Sequence, residues 1–576
     1  MNVERLKTDI LILGAGGAGL FAALHALKTN PDLDITIVSK GLLGKCGCTR
    51  MVQGGYNVAL NPGDSIERHF MDTIEGGKWL PHQELAWTLV TKAIERVQDL
   101  ENEIGCFFDR NPDGTLHGKA FAGQTFDRTM HKGDLTGIEI INRLMEQVWA
   151  RPIRRLEEHR AVALIPAKDG ALSGVLLIDV RSGAFRFVAA QAVLLATGGG
   201  PTMYRYHTPS GDKSMDGLAM ALRLGLPLRD MEMVQFHPTG LLAGPDTRMT
   251  GTVLEEGLRG SGGHLLNGAM HRFMGDYDPK LERATRDVVS RAIYAEMRAG
   301  RTTPNGGVYI KMSHLGPAKV AKEFKGMVDR CRDCGFDLAG GLVEVVPTAH
   351  YFMGGVVCDV DTATERFGLF VAGEDASGMH GANRLGGNGV ANSTVFGGIA
   401  GDVMPRWIAA NPGHRDPDTD ALDAELTRAQ HPFAQKPGDL NALREKLLDS
   451  MWDEVGVVRD RLSIERGLAA LDRIEAELLA TGVAGADRRF NLTWHDWLNL
   501  RSLCEVSRGI ALAALKRENS RGAHFRSDFP EPGDFATSTF TVARQVASGI
   551  EIGEQPVQFT HVKPGETLLR DRIAAE

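Results

Sequence analysis

The amino terminus restricts the fold classes open to this chain, because a short apolar strand there is followed directly by a glycine-rich turn and a helix. Residues 9–13 read Asp-Ile-Leu-Ile-Leu, and Gly14, Gly16 and Gly19 follow in the pattern GxGxxG. A helical stretch at 20–28 and an apolar, β-branched run at 35–38 come next. A strand, this pattern, a helix and a second strand within about thirty residues predict an α/β domain that binds a dinucleotide.

The glycines of this turn serve different physical purposes. Gly14 permits the tight turn, Gly16 lets the backbone approach a pyrophosphate, and Gly19 allows close packing of helix on sheet. The helix amino terminus, which includes Gly17, offers free N–H groups and the positive end of a dipole to the phosphates.

The end of the second strand departs from the usual pattern. Ser39 and Lys40 stand where an acidic residue commonly holds the ribose hydroxyls. Ser39 both donates and accepts hydrogen bonds, so ribose binding is expected to survive with different chemistry. The chain has no second complete strand–GxGxxG–helix unit. This argues against a separate nicotinamide site beside the first dinucleotide.

Two later segments look like further strands of the same sheet. Residues 193–196 are an apolar run that opens into Thr197 and Gly198, and residues 369–372 are another that ends near Glu374. Both are expected to end at the cofactor. The sheet is therefore predicted to be interrupted by a long insertion and then resumed.

The composition disfavours several classes of protein. Of 576 residues, 43% are hydrophobic and 24% are charged, which is typical of a globular chain. A formal net charge of −8 disfavours nucleic-acid binding. No apolar run reaches the ~18 residues of a membrane helix, and we recognise no secretory segment. We expect a cytoplasmic protein without a direct membrane span, attached to a membrane at most through a partner.

The cysteines indicate reduced thiols rather than a disulfide framework. There are 7, an odd and small number for this length. Cys331 and Cys334 form a lone CxxC, and a structural zinc site would need four ligands. We therefore predict no metal site.

Several short segments follow one another in an order that is specific as a set. They are QGG at 53–55, ATGG at 196–199, QFHPTG at 235–240, EGLRG at 256–260, RDVV at 286–289, HYFMGG at 350–355, HGANRLGGN at 380–388 and SRGAH at 520–524. In these segments the chain resembles the flavoprotein subunits of succinate dehydrogenase and fumarate reductase, together with L-aspartate oxidase. The resemblance spans nearly the whole chain.

This resemblance implies an α/β fold with four parts. They are a Rossmann-like FAD-binding domain (1–235 and 346–410), an inserted α+β capping domain (236–345), a helical domain (411–530) and a small C-terminal domain (531–576). The residues agree, because apolar strand segments stop near 235 and resume near 346. Leucines at helical spacing follow the linker at 411–417. We predict that they are core residues: Leu443, Leu447, Leu448, Leu468, Leu471 and Leu478.

The resemblance also implies FAD and its contacts. The residues expected to contact FAD are Gly14, Gly16, Gly17, Gly19, Ser39, Lys40, Cys48, Thr49, Gln53, Gly54, Gly55, Thr197, Gly198, Asp216, Glu374, Arg384 and Asn388. In many members a histidine before QGG is bonded covalently to the flavin, and Cys48 stands at its position here. We therefore expect non-covalent FAD, with a cysteinyl–flavin bond as the alternative. Asn388 is followed by Gly389 and Val390 where the family has Ser-Leu, so backbone is expected to replace one side-chain contact.

The catalytic residues are likewise carried over from the family. Its reaction moves a hydride between a substrate carbon and flavin N5, with proton transfer at the adjacent carbon, between two carboxylates. His237, His350 and Arg384 match the residues that bind and polarise the carboxylates. Arg286 matches the arginine that transfers the proton, and Glu256 and Arg259 match its relay to solvent. Arginine suits a carboxylate bidentately, but its pKa above about 12 makes it an unusual acid.

One departure bears on substrate selectivity. Glu255 stands where the family has a threonine whose hydroxyl helps to bind a substrate carboxylate. A carboxylate there would repel a dicarboxylate unless it is protonated or turned away. We therefore expect Glu255, together with Phe121, to set selectivity, and the preferred substrate to be a substituted or amino-bearing relative of succinate or fumarate.

Three functions follow from these residues. The first is an FAD-dependent oxidoreductase that interconverts saturated and unsaturated C4-type dicarboxylates. The second is L-aspartate oxidase-like oxidation of an amino-dicarboxylate. The third is an FAD subunit that carries electrons without processing a small molecule, which the retained His237, Arg286, His350 and Arg384 speak against. The chain has no ferredoxin-like cysteine set, so electrons are expected to pass to oxygen, a soluble acceptor or a separate iron–sulfur subunit.

Overall fold

A computed structural model describes residues 3–244, 247 and 249–569 of the chain. Its strands are β1 (Glu4–Leu13), β2 (Ile35–Ser39), β3 (Tyr56–Asn57), β4 (Gly118–Lys119), β5 (Thr129–Met130), β6 (Arg154–Glu157), β7 (His159–Pro166), β8 (Leu172–Asp179), β9 (Phe185–Leu195), β10 (Leu228–Arg229), β11 (Val234–Leu241), β12 (His264–Leu266), β13 (Val308–Lys311), β14 (Leu342–Phe352), β15 (Gly355–Val356), β16 (Leu369–Val371), β17 (Thr539–Val546) and β18 (Gly549–Pro556). The α-helices are α1 (Gly17–Thr29), α2 (Ile66–Gly76), α3 (Gln83–Asp99), α4 (Thr136–Trp149), α5 (Asp216–Arg223), α6 (Gly257–Gly260), α7 (Arg286–Arg298), α8 (Pro317–Glu323), α9 (Lys325–Asp333), α10 (Asn388–Ala410), α11 (Thr419–Gln430), α12 (Leu440–Glu454), α13 (Arg461–Ala480) and α14 (Leu492–Lys516).

The first sheet contains the glycine turn and the strands predicted around it. Parallel pairing joins β6, β2, β1 and β9 in that order, and β16 is parallel to the last residues of β9. The predicted strands at 9–13, 35–38, 193–196 and 369–372 all lie in this sheet, with small differences at their ends. The prediction of an interrupted and resumed sheet is therefore confirmed.

The same sheet carries an antiparallel extension that the glycine motif does not predict. β7 and β8 form a hairpin, and β8 pairs with the first half of β9. β9 is 11 residues long, so it has room for β8 beside its beginning and β16 beside its end. Its sequence alone does not reveal this double pairing.

A second, four-stranded antiparallel sheet forms the insertion. Its order is β11-β14-β13-β12, and α7 packs against β11 and β14. The apolar side chains between residues 241 and 345 form a core of their own. β11 begins at Val234 and β14 ends at Phe352, so its two longest strands extend past both predicted capping-domain bounds, 236 and 345.

The helices α11–α14 follow the predicted linker. Five of the leucines predicted to be core residues are buried, namely Leu443, Leu447, Leu448, Leu471 and Leu478, whereas Leu468 is only partly buried. The hairpin β17–β18 joins the body of the protein because β17 pairs with β10. Cys331 lies on α9 and Cys334 immediately after it. Within the described ranges, no helix is both long and apolar enough to cross a membrane.

Candidate active site

One cavity of about 450 Å³ brings most of the predicted residues together. Its wall includes the glycine turn, the loop at 46–55 and residues of the inserted sheet. Of the predicted residues, those that line it are Gly14, Gly16, Gly17, Ser39, Lys40, Cys48, Thr49, Gln53, Gly54, Gly55, Phe121, Thr197, Gly198, Asp216, His237, Glu255, Glu256, Arg286, His350, Glu374 and Arg384. Gly19, Arg259 and Asn388 do not line it and lie behind other residues.

The glycine turn has the geometry that a pyrophosphate needs. Gly14 has a φ of +116°, and a Cβ at this position would lie 2.0 Å from the Ala196 carbonyl oxygen. A Cβ at Gly19 would lie 2.0 Å from the Gly14 carbonyl oxygen, which accounts for close helix–sheet packing. Helix α1 begins after Gly16 without a side-chain cap or an acidic residue in its first turn. Its positive amino terminus is therefore open to an anion from the cavity.

Ser39, Lys40 and Asp216 line the cavity but are already engaged with protein groups. The Lys40 ammonium donates to Asp216 Oδ2 at 3.3 Å, and Arg160 donates to Asp216 Oδ1 at 2.6 Å. Although burial opposes ionisation, these two cations hold the pKa of Asp216 well below its usual range. The Ser39 hydroxyl lies 3.4 Å from Cys46 Sγ. Lys40 and Asp216 thus neutralise each other in the wall.

Two carboxylates fix the backbone beside Thr197. Asp375 accepts from the Thr197 N–H at 2.5 Å and the Gly198 N–H at 3.1 Å. Glu374 accepts from the Phe352 N–H at 2.9 Å. Burial raises the pKa of Glu374 to about 7 and that of Asp375 to about 6. The loop that ends β9 is therefore held rigidly at the cavity.

The loop before the QGG segment supplies thiol and hydroxyl groups. Thr49 Oγ1 accepts from the Gly17 N–H at 3.0 Å, which ties this loop to the start of α1. Burial raises the pKa of the Cys48 thiol to about 12. Because the thiolate is the nucleophile of cysteine, this shift disfavours the reactive form of Cys48.

Asn388 does not reach the cavity with its side chain. Its Oδ1 accepts from Asn57 at 2.7 Å, and the His69 ring nitrogen Nε2 lies 3.0 Å away. Its Nδ2 donates to Thr73 Oγ1 at 3.1 Å. Asn388 instead anchors the start of α10, whose next residue Gly389 lines the cavity. The Asn388 side chain is thus engaged with protein groups, and contact of this residue with the cofactor stays a prediction.

A buried relay of charges surrounds Arg286. Arg286 donates to Glu256 Oε2 through Nε at 3.0 Å and Nη2 at 2.5 Å. Arg259 donates to Glu256 Oε1 at 3.3 Å and to the Glu282 carbonyl at 2.8 Å. Burial opposes ionisation of Glu256, but Arg286 and Arg259 hold its pKa below the usual range. Arg286, Glu256 and Arg259 thus form a continuous chain from the cavity inward.

Two neutral histidines face each other in the same cavity. The rings of His237 and His350 lie 5.3 Å apart. Burial and the nearby Arg286 lower the pKa of both well below the usual value. The Thr239 N–H donates to His237 Nδ1 at 3.3 Å, so Nε2 of that ring carries the proton. Thr208 Oγ1 lies 2.9 Å from His350 Nδ1 and orients the second ring.

Gln235 connects the two arginines of the site. Its Oε1 accepts from Arg286 Nη1 at 3.1 Å, and its Nε2 donates to the Arg384 carbonyl at 2.8 Å. The Arg384 guanidinium lies over the Tyr351 ring at 4.5 Å, and its Nε has no partner among the described residues. Burial, reinforced by Arg286, lowers the pKa of Arg384 to about 10.

Glu255 is not left unpaired. Lys119 donates to its Oε1 at 2.6 Å, and Glu255 is only 3% exposed. Phe121 stands between two glycines, because a Cβ at Gly54 or at Gly386 would lie 2.4 Å from its ring. The repulsion expected between Glu255 and a dicarboxylate is therefore reduced by a cation of the chain itself.

Several contributors were missed by the sequence reasoning, and four of them lie around the predicted catalytic residues. Gln235 bonds Arg286 and the Arg384 backbone, Thr208 lies beside His350, Lys119 pairs with Glu255, and Arg330 lines the cavity and donates to the Val253 carbonyl at 3.0 Å. Gln235 lies inside the QFHPTG segment, so its polar side chain beside His237 was a signal. The other three lie in segments with no motif.

Comparisons with known proteins agree with this architecture. The family described as FAD binding domain matches residues 9–390, and the one described as fumarate reductase flavoprotein C-term matches residues 444–569. An uncharacterised FAD-dependent oxidoreductase of Methanocaldococcus jannaschii is 40% identical over 91% of this chain and 94% of its own length. A fumarate reductase (CoM/CoB) subunit of Methanothermobacter marburgensis is 39% identical over 92% and 96%.

The solved structures give the same result. A chain of Escherichia coli quinol fumarate reductase superimposes with a TM-score of 0.91 at 32% identity, covering 98% of this chain and 99% of that one. The α/β fold predicted from the sequence, with its FAD-binding, capping, helical and C-terminal parts, is thereby confirmed. The prediction that FAD is the cofactor is also confirmed. The chain belongs to the succinate dehydrogenase and fumarate reductase flavoprotein family, and it is an FAD-dependent oxidoreductase of the succinate/fumarate type.

Proposed function

We propose that the chain binds FAD without a covalent bond and interconverts a saturated and an unsaturated C4-type dicarboxylate. The observation that carries this proposal is the convergence of two arginines and two neutral histidines on the cavity that begins at the glycine turn. Arg286, Arg384, His237 and His350 all line it. Cationic and neutral donors in one buried space suit a dianion.

The proposed role of each group follows from its hydrogen bonds. Arg384 has an unpartnered Nε in a buried position, so it retains a donor for a substrate carboxylate. His237 carries its proton on Nε2, and as a neutral ring it donates without adding charge. His350 is oriented by Thr208 and contributes in the same way. These groups bind and polarise the two carboxylates.

Arg286 is the proposed proton-transfer residue. Its guanidinium reaches the cavity while Glu256 holds it from behind through two hydrogen bonds. Arg259 continues the chain from Glu256 toward the Glu282 carbonyl. A proton gained or lost by Arg286 is thus exchanged through Glu256 and Arg259, which match the family's relay to solvent. Bound FAD supplies the hydride acceptor or donor at its N5 atom.

The residues present fit FAD. Gly14, Gly16 and Gly17 form a cradle at the uncapped start of α1, and Gly389 brings the start of α10 to the same cavity. The unreactive Cys48 thiol supports non-covalent binding. Precipitation of the holoenzyme in acid tests this point. Yellow colour in the supernatant is expected, whereas colour that stays with the polypeptide would refute the non-covalent proposal.

The decisive functional experiment is anaerobic flavin bleaching. We expect succinate to bleach the oxidised flavin and fumarate to restore the colour of the chemically reduced enzyme. Bleaching by L-aspartate, with iminoaspartate and peroxide formed in air, would favour the aspartate-oxidase alternative. Absence of any response to C4–C6 dicarboxylates and amino acids would favour the electron-carrying alternative.

The ion pair of Glu255 weakens the reason for expecting an amino-bearing substrate. That expectation rested on repulsion between the Glu255 carboxylate and a dicarboxylate, and Lys119 lies 2.6 Å from Glu255 Oε1. We therefore propose unsubstituted C4 dicarboxylates as the first candidates. Exchange of electrons with a separate iron–sulfur subunit or a soluble acceptor, in the cytoplasm, completes the proposal, and it is supported by the relative that is named as a subunit.

A further inference from the structure

Glu255 lines the cavity, and one of its carboxylate oxygens has no hydrogen-bond donor among the described residues. Its Oε1 accepts from Lys119 Nζ at 2.6 Å, and Lys119 also donates to the Gly133 carbonyl at 2.8 Å. Its Oε2 accepts no hydrogen bond from any described residue, and Glu255 lines the cavity beside Glu256. A carboxylate oxygen with no donor is a site where the ligand or solvent must supply one.

The charges that act on Glu255 come from several elements. Lys119 on β4 is its cation. Asp134, in the loop before α4, and Glu256, at the start of α6, both act on it as anions. Arg330 on α9 donates to the Val253 carbonyl at 3.0 Å and interacts electrostatically with Asp134. Burial raises the pKa of the Glu255 carboxyl, Asp134 and Glu256 add to this, and Lys119 opposes it.

We propose that Glu255 takes up one proton when a dicarboxylate binds, and then donates a hydrogen bond from Oε2 to one substrate carboxylate. The inference rests on the proposed dicarboxylate substrate. The proton comes from solvent and returns to it on release, so no other bond changes. The protonated Glu255 carboxyl then donates the hydrogen bond that the family resemblance assigns to a threonine hydroxyl at this position. It can do so only in its protonated form.

This assignment makes substrate affinity depend on pH in a defined way. Above the pH at which Glu255 loses its proton in the empty site, dicarboxylate affinity falls about tenfold per pH unit, because one proton is bound with each ligand. A ligand that brings its own N–H to Glu255 needs no such proton. Its affinity therefore does not fall as Glu255 loses its proton.

The experiment measures proton uptake directly on the FAD-loaded enzyme. Malonate, a dicarboxylate that lacks the CH–CH unit, is titrated by calorimetry in two buffers of different ionisation enthalpy. Flavin absorbance gives its Kd from pH 6.5 to 9. We expect about one proton taken up and a tenfold weakening per pH unit. Glu255→Gln and Glu255→Thr should take up no proton and bind malonate with little pH dependence.

A matched control uses the neighbouring carboxylate. Asp134 does not line the cavity, so Asp134→Asn should keep the uptake of one proton, with its onset moved to lower pH. The proposal is overturned if malonate binds to the native enzyme without proton uptake, or if uptake persists in Glu255→Gln. It is also overturned if the monoamide of malonate binds more tightly than malonate at pH 6.5. Failure of the proposed function is seen separately, as no exchange of electrons between fumarate and the reduced flavin.

Discussion

Substitution of Gln235 by leucine tests whether the two arginines must be held together for the reaction. Gln235 is 1% exposed, and it accepts from Arg286 at 3.1 Å and donates to the Arg384 carbonyl at 2.8 Å. Leucine has a similar size but makes neither bond. A hydrogen bond to a charged group contributes about 1.5–3 kcal/mol, and buried groups left unpaired add to the cost.

If the loss of the Gln235 hydrogen bonds removes about 2–4 kcal/mol of transition-state stabilisation, kcat/KM falls about 30- to 1,000-fold. The assay is fumarate-dependent oxidation of a reduced dye, with FAD content and circular dichroism to show that the variant is folded. Gln235→Glu is the matched variant, since it keeps an acceptor for Arg286 but adds a negative charge. We expect Gln235→Leu to lower kcat and Gln235→Glu mainly to raise KM. A folded, FAD-loaded Gln235→Leu enzyme with kcat and KM within threefold of native would refute the reasoning.

Three other perturbations have defined outcomes. Gly14→Ala should abolish FAD binding, measured by flavin content after purification, because its Cβ would lie 2.0 Å from the Ala196 carbonyl oxygen. Asp375→Asn should weaken FAD binding about tenfold or more in a reconstitution titration, since Oδ2 accepts from the Thr197 N–H and Oδ1 from the Thr197 hydroxyl, and an amide keeps only one acceptor oxygen. Burial lowers the pKa of His69 to about 3. Below pH ~6.5 the unfolded chain therefore binds a proton at this residue that the folded chain does not bind, so the free energy of unfolding falls as the pH falls. His69→Gln should therefore reduce the loss of stability between pH 8 and pH 5.5 by about 1 kcal/mol. This is measured as a smaller fall in Tm over that pH range, and a fall in Tm as large as that of the native chain would contradict the prediction.

The parts of the site that the sequence predicted are local in the chain. Gly14, Gly16 and Gly19 are recognisable because their spacing and flanking strands lie within one βαβ unit. Lys119 was not predictable, because its partner Glu255 is 136 residues away and nothing in either segment specifies the pairing. Asn388 shows the opposite limit: a motif predicted its position beside the cofactor but not that His69 and its other buried neighbours would turn its side chain away. Packing between segments far apart in the chain determines both the pairing of Lys119 with Glu255 and the orientation of the Asn388 side chain.

The fold shows the same division between local and long-range information. Apolar runs located β1, β2, β9 and β16 because buried parallel strands are continuously hydrophobic. The antiparallel hairpin of β7 and β8 was not predicted, since its strands are buried on both faces and lack a distinguishing alternation. The bounds of the capping domain were placed by motif, and they divide β11 and β14, whose pairing depends on contacts across more than a hundred residues.

Substitution of Lys119 distinguishes a Glu255 that stays ionised from a Glu255 that takes up a proton when a dicarboxylate binds. If Glu255 were fixed as an anion, a substrate carboxylate about 5 Å away would be repelled by about 3 kcal/mol at an effective dielectric constant of about 20. Lys119→Met would then weaken malonate binding about a hundredfold at every pH. A buried carboxylate without a cation instead takes up a proton, because neutralisation costs less than an unpaired charge. We therefore expect Lys119→Met to keep its malonate affinity at pH 6.5 and to move the onset of weakening upward by at least one pH unit. A uniform loss of affinity from pH 6.5 to 9 would show that Glu255 stays ionised and that Lys119 serves only to neutralise it.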